Sequence, residues 1–207
     1  VVLVAYTAEP VIFNAFVTRP TSEGRPPYTL WSILRDIVFY IPPVIGSAVI
    51  IFVSYLLMLV PMRKNFRQTM ISWMLHRACR WLLGYAMFFK SMRYGLDGNH
   101  LRSWKGEQGV IVANHQSSLD IIIILAMFPK VKFMVADWVL KSPLFGIIAR
   151  FLGYYSRSEG YEKSLERYRK DIAEGWSLTI FPEGTRSTDG KIKRFHKGAF
   201  YLASEVG

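Results

Sequence analysis

The stretch VIVANHQSSLDIIIILAMFPKVKFMV, Val110–Val135, decides the fold class. It opens on Val110–Ala113, an apolar run too short for a helix and rich in β-branched residues, which predicts a buried strand. A polar turn follows, then an apolar helical stretch over about Leu119–Phe128, then a second strand candidate, Val131–Val135. Further on, Ser142-Pro143 offers a Ser N-cap with Pro at the first helical position, for a helix reaching about Leu152. Tyr154-Tyr155 reads as a weak strand, and Tyr161–Glu174 as a charged amphipathic helix stopped by Gly175. Trp176–Phe181 is another strand and Lys197–Glu205 a last helix. Strand and helix alternate along this half of the chain, which predicts an α/β fold, a mostly parallel sheet flanked by helices.

Two polar loops directly follow buried strands, and in open α/β sheets the carboxyl ends of the strands are where sites collect. The first is Asn114-His115-Gln116-Ser117-Ser118-Leu119-Asp120. On one continuous helix His115 and Asp120 would stand about 140° apart and could not meet. With His115 in the turn and Asp120 near the helix start, capped by Ser117 or Ser118, they can. Asp120 then accepts from the imidazole Nδ1–H and leaves Nε2 to take a proton, the base-and-orienter half of a triad. A structural hydrogen bond is the plain alternative. No Ser or Cys sits in a recognisable nucleophile elbow, so the substrate's own hydroxyl is the expected nucleophile.

The second loop is Phe181-Pro182-Glu183-Gly184-Thr185-Arg186-Ser187. Gly184 permits close backbone approach, Glu183 can accept from a hydroxyl, and Arg186 offers a bidentate fork for phosphate. Lys191, Lys193, Arg194, His196 and Lys197 follow, and a solvated basic loop would carry the same residues.

The first half reads differently. Val1–Val17 is mostly apolar, and Thr18–Pro27 is a linker rich in Pro, Gly and Arg. Ile37–Met62 carries no charged residue and is long enough to cross a hydrocarbon core, with Pro42-Pro43 either weakening its first turn or marking a helix start near Val44. Arg63, Lys64 and Arg67 follow and favour a cytoplasmic side, against Arg19, Arg25 and Arg35 on the other flank. Thr69–Met92 predicts a second helix, with His76, Arg77 and Arg80 forming a basic stripe suited to anionic headgroups. The expected division is therefore residues 1–36 as apolar segment and linker, 37–93 as membrane-associated helices, and 94–207 as an incomplete catalytic domain. The missing initial Met and the stop at Gly207 read as cuts in a longer protein.

The formal net charge is +11 and the sequence pI about 9.8, which suits a membrane surface or a phosphorylated substrate. Nucleic acid is set aside, because the basic residues adjoin an apolar span and no recognition motif appears. Cys79 is the single cysteine, which excludes an intrachain disulfide and a cysteine-rich zinc site. The four histidines show no metal-ligand spacing, so no metal and no cofactor is expected.

Together these blocks resemble the glycerophospholipid acyltransferase superfamily, typified by the 1-acylglycerol-3-phosphate (lysophosphatidic acid) acyltransferases. Asn114-His115, four residues, then Asp120 is similar to its first block, and Phe181–Ser187 to its third. Phe195-His196-Lys197-Gly198-Ala199 is similar to the segment that follows, and the resemblance covers about Gly106–Gly207. It departs at Gly153-Tyr154-Tyr155-Ser156-Arg157, a short and irregular second block, and the fourth block lies beyond the chain's end. The resemblance implies transfer of an acyl group from acyl-CoA or acyl carrier protein, as co-substrate, to a lysophospholipid hydroxyl in membrane lipids. It implies His115 and Asp120 as catalytic residues, and Asn114, Arg157, Glu183, Gly184, Thr185, Arg186 and Lys197 around the acceptor. The site would lie on the cytoplasmic face of a bacterial inner membrane. The opening segment also resembles the joint at which an exporter-like membrane domain precedes such an acyltransferase in bacterial fusions. A non-catalytic module binding anionic lipid is the other reading.

Overall fold

The computed structural model describes residues 30–88, 108–115, 119–143, 145–186 and 193–206. Four strands, β1 (Val110–Val112), β2 (Val131–Val135), β3 (Tyr155–Ser156) and β4 (Ser177–Ile180), form one sheet in the order β1-β4-β2-β3. Every pairing is parallel, with Val112 opposite Ile180, Phe133 opposite Thr179 and Val135 opposite Ser156. Seven helices are described: α1 (Leu30–Leu59), α2 (Lys64–Phe88), α3 (Leu119–Met127), α4 (Asp137–Lys141), α5 (Phe145–Leu152), α6 (Tyr161–Ala173) and α7 (Gly198–Val206).

The pleat divides the apolar side chains between two layers, because successive strand residues point to opposite faces. Val110, Val112, Leu178 and Ile180 pack with Tyr168 of α6 and with Ala199, Leu202 and Ala203 of α7. Ile111 and Phe133 face the other way, against Ile124 of α3 and Phe128. Covered on both faces, β1 is a continuous apolar run, as a buried parallel strand favours, while buried Lys132, Ser177 and Thr179 interrupt β2 and β4. A third cluster, Ile71, Ile148, Leu152 and Trp176, joins α2 and α5 to the sheet, with Ile51, Tyr55 and Met58 of α1 packed on it.

The α2 helix is bound to the sheet-bearing half by side chains that satisfy main-chain carbonyls. The Ser72 hydroxyl donates to Pro129 O at 2.7 Å, His76 Nδ1 donates to Leu125 O at 2.9 Å, and Gln68 donates to Phe151 O. The basic stripe is thereby corrected: His76 is buried in the packed face, with its pKa lowered chiefly by burial, while Arg77 and Arg80 are exposed.

Among the described residues no helix is long and apolar enough to cross a membrane. The apolar run lies largely in α1, which begins at Leu30 rather than near Val44 and contains Pro42 and Pro43 in its interior. Residues 1–29 lie outside the described residues, as do Ser117, Ser118 and Lys191.

Candidate active site

Adjacent parallel strands deliver their following loops to one edge of the sheet. Val112 pairs with Ile180, so residues at equal distance beyond them meet, and His115 and Glu183 each stand three positions further. The His115 N–H donates to Glu183 Oε1 at 2.7 Å. The other oxygen, Oε2, accepts from the Lys193 N–H at 3.0 Å. Glu183 is buried, and both its oxygens take backbone donors, so it clamps three chain segments together. Hydrogen bonds to an ionised group contribute roughly 1.5–3 kcal/mol each. The sequence reading gave Glu183 a hydroxyl partner; its observed partners are main-chain donors, which spacing alone does not reveal.

His115 lies in the turn and Asp120 in the first turn of α3, as their spacing demands. Nδ1 donates to Asp120 Oδ2 at 2.9 Å. Asp120 is buried, and the His115 ring stacks on Phe181 with centroids 4.1 Å apart and planes 19° from parallel. Carboxylate and aromatic face together fix the ring, leaving Nε2 as the nitrogen available for proton transfer. Asn114 is buried beside them, its Nδ2 without a hydrogen-bond partner among the described residues. An unmade bond of that kind costs on the order of 1–3 kcal/mol.

Arg157 joins the second loop from the end of β3, beside Arg186. Arg157 follows β3 in a 3-10 turn, Arg157–Glu159, and its Nη1 donates to Gly184 O at 2.9 Å. Gly184 has φ 70°, and a Cβ there would stand 2.9 Å from that Nη1, so the approach needs glycine. Thr185 and Arg186 are exposed in the same loop, and Lys193 Nζ donates to Arg186 O at 3.1 Å and to Thr185 Oγ1 at 3.4 Å. Lys197 is exposed just before α7, where its carbonyl accepts from Phe200 and Tyr201. Among the described residues no group of three His, Cys, Asp or Glu could hold a metal ion.

One residue of this edge escaped the sequence reading. Asp137, two positions beyond β2, accepts from the Ser156 hydroxyl at the end of β3. Hydrogen bonds from Ser156 and Ser158 hold its pKa below the usual carboxylate value. The rule that strand ends collect functional groups could have pointed to it, since β2 was identified.

Comparison with known proteins follows the same outline. Residues 97–207 match the family model described as Acyltransferase. The chain is 27% identical over 199 residues to 1-acyl-sn-glycerol-3-phosphate acyltransferase LPAT1, chloroplastic, of Arabidopsis thaliana, covering 92% of this chain and 53% of that protein. It is 36% identical over 107 residues to the 1-acyl-sn-glycerol-3-phosphate acyltransferase of Saccharomyces cerevisiae, covering 46% of this chain and 34% of that one. The chain thus spans about half the length of the Arabidopsis relative and about a third of the yeast one. Its fold is similar to the crystal structure of the 1-acyl-sn-glycerophosphate acyltransferase PlsC of Thermotoga maritima, with TM-score 0.62 and 21% identity over 84% of this chain and 71% of that one.

Proposed function

The chain belongs to the Acyltransferase family, and from that premise we propose that it acylates the free hydroxyl of lysophosphatidic acid or a similar phosphorylated glycerol acceptor in phospholipid synthesis. The observation that carries this reading is the joining of two halves of a site. An oriented His115–Asp120 pair and an arginine-bearing phosphate loop are held side by side by Glu183 and Gly184.

In the proposed reaction, His115 Nε2 takes the proton of the acceptor hydroxyl as its oxygen attacks the thioester carbonyl of acyl-CoA or acyl carrier protein. The new C–O bond forms a tetrahedral centre whose oxyanion Asn114 Nδ2 is suited to receive. The C–S bond then breaks, and the leaving thiolate recovers the proton from the imidazolium, which the Asp120 carboxylate has stabilised. Arg157 and the Gly184–Arg186 loop hold the acceptor phosphate, with Thr185 and Lys197 at its margin. The reaction is set at a membrane surface, because the exposed side of α1 carries Ile41, Ile45, Val49, Phe52, Leu56 and Leu59 at helical spacing.

The test is acyl transfer by the full-length protein in detergent micelles, offering labelled acyl-CoA or acyl carrier protein with lysophosphatidic acid. General base catalysis contributes roughly 10²–10⁴-fold, so His115→Ala lowers kcat by at least about a hundredfold. Transfer by the variant at the wild-type rate would remove His115 from the chemistry. Transfer absent from the wild type with both donors would leave a lipid-binding module as the better reading.

A further inference from the structure

The guanidinium at the phosphate loop has an unusual mounting. Arg157 is exposed and sits in a three-residue turn, yet every neighbour of that turn is tied down. On one side, Ser156 Oγ donates to Asp137 Oδ1 and accepts from the Ser158 N–H at 3.1 Å, with the Ser158 hydroxyl 2.8 Å away. On the other side, Glu159, 8% exposed in its side chain, pairs with Arg167 at 2.6 Å. Arg167 also donates to Gly153 O at 2.8 Å and lies 4.4 Å over the Tyr155 ring, bracing β3 from its start. The Arg167 brace belongs to a buried network in which Asp171 accepts from Lys132 and Tyr155, and that network holds the sheet to α6.

Asp137 differs from these. It opens α4 but does not cap it: the N-cap position is Ala136, which makes no side-chain cap bond. Its carboxylate reaches instead across the β2–β3 step, where Val135 pairs with Ser156. A parallel sheet places neighbouring strands about 4.8 Å apart, a gap that an acid two residues past β2 can bridge. Among the described residues Arg157 spends one of its five N–H donors, on Gly184 O.

We infer that Asp137 is a positioning residue: through Ser156 and Ser158 it holds the Arg157 turn in the conformation that receives the acceptor's phosphate group. The inference rests on the phosphate-binding reading of the site given above. Asp137 touches no substrate. It acts by removing freedom from the segment that carries Arg157, so that the ordering cost of a long side chain is met before the lipid arrives.

The experiment compares wild type, Asp137→Ala, Asp137→Asn and Arg157→Ala of the full-length protein in detergent. Hydrogen exchange without ligand is followed by mass spectrometry over the 154–160 segment. Affinity for a short-chain lysophosphatidic acid is measured by calorimetry. Asp137→Ala is expected to speed exchange in that segment and weaken the affinity roughly two- to tenfold, the range that one side chain's ordering cost allows. Asp137→Asn, which can still accept from Ser156, restores most of both. Where a transfer rate is measurable, KM for the acceptor rises while kcat holds. Unchanged exchange in Asp137→Ala overturns the tether. Faster exchange with unchanged affinity overturns the positioning role, provided Arg157→Ala does lose affinity. If Arg157→Ala binds like wild type, the phosphate reading itself fails and takes the inference with it.

Discussion

Gly184 carries the closest approach in the molecule's working edge. Its φ of 70° lies in the left-handed region, where a Cβ costs roughly 1–2 kcal/mol. The atom that Cβ would meet is the end of a flexible guanidinium, so Gly184→Ala displaces Arg157 rather than breaking the fold. The expected outcome is a raised KM for the phosphorylated acceptor with kcat within about twofold, and a Tm lower by a few degrees. Kinetics against acceptor concentration check it; a fall in kcat alone would place Gly184 with the chemistry instead. At this scale the sequence was informative where the chemistry needs a fixed covalent spacing. Asn114, His115 and Asp120 are close in the chain, and the turn that brings His115 to Asp120 can be reasoned from helix geometry. Glu183 was legible as important but not as a clamp, because its partners are main-chain donors of distant residues. Arg157 was legible only through resemblance, since its position depends on the β3–β2 pairing.

The elements themselves were largely readable, and the exceptions have local causes. Strands β1, β2 and β4 are short segments of mostly β-branched and apolar residues, and each was located to within a residue or two of its observed ends. The α4 helix was not anticipated, because Asp137–Lys141 has five residues, too few to show a period, and follows a strand directly. Its packing against α5 is where an element-level test belongs. A Cβ on Gly146 would stand 2.4 Å from Leu140 O, a backbone atom that cannot swing aside. Gly146→Ala must therefore separate α4 from α5, at about the 1–3 kcal/mol typical of overpacking. The expected result is a lower denaturant midpoint with an unchanged m-value, together with faster exchange in the Ser156–Glu159 turn, since Asp137 sits on the displaced helix. An unaltered midpoint would mean that α4 yields without strain. The interior placement of Pro42 and Pro43 in α1 was missed for a different reason: local propensity stops a helix there, and the helix nonetheless continues.

For the whole molecule, the question is what the apolar side of α1 meets. Its inner side is spent on the protein, where Ile51, Tyr55 and Met58 pack over Ile71 and Trp176. Its outer side exposes Ile45 at 57%, Phe52 at 62% and Leu59 at 80%, and Phe66, Trp73 and Trp81 of α2 are exposed as well. Burying a large apolar side chain is worth roughly 1.5–3 kcal/mol, so a few such residues dipping into a bilayer suffice for reversible attachment. The net charge of +11 adds attraction to anionic lipid that salt screens over about 8–10 Å. These two contributions separate experimentally. Paired Phe52→Ser and Leu56→Ser is expected to lower partitioning of the full-length protein onto vesicles at least tenfold, on neutral phosphatidylcholine and on phosphatidylglycerol-containing membranes alike. Raising salt from 0.05 to about 0.5 M should weaken binding only to the anionic vesicles. Co-sedimentation reads both. If the double variant partitions like wild type while salt still releases it, attachment is electrostatic and the α1 stripe is covered by another part of the protein. If neither change matters, the site must receive its lipid from micelles or a carrier, and the membrane-surface setting proposed for the reaction falls.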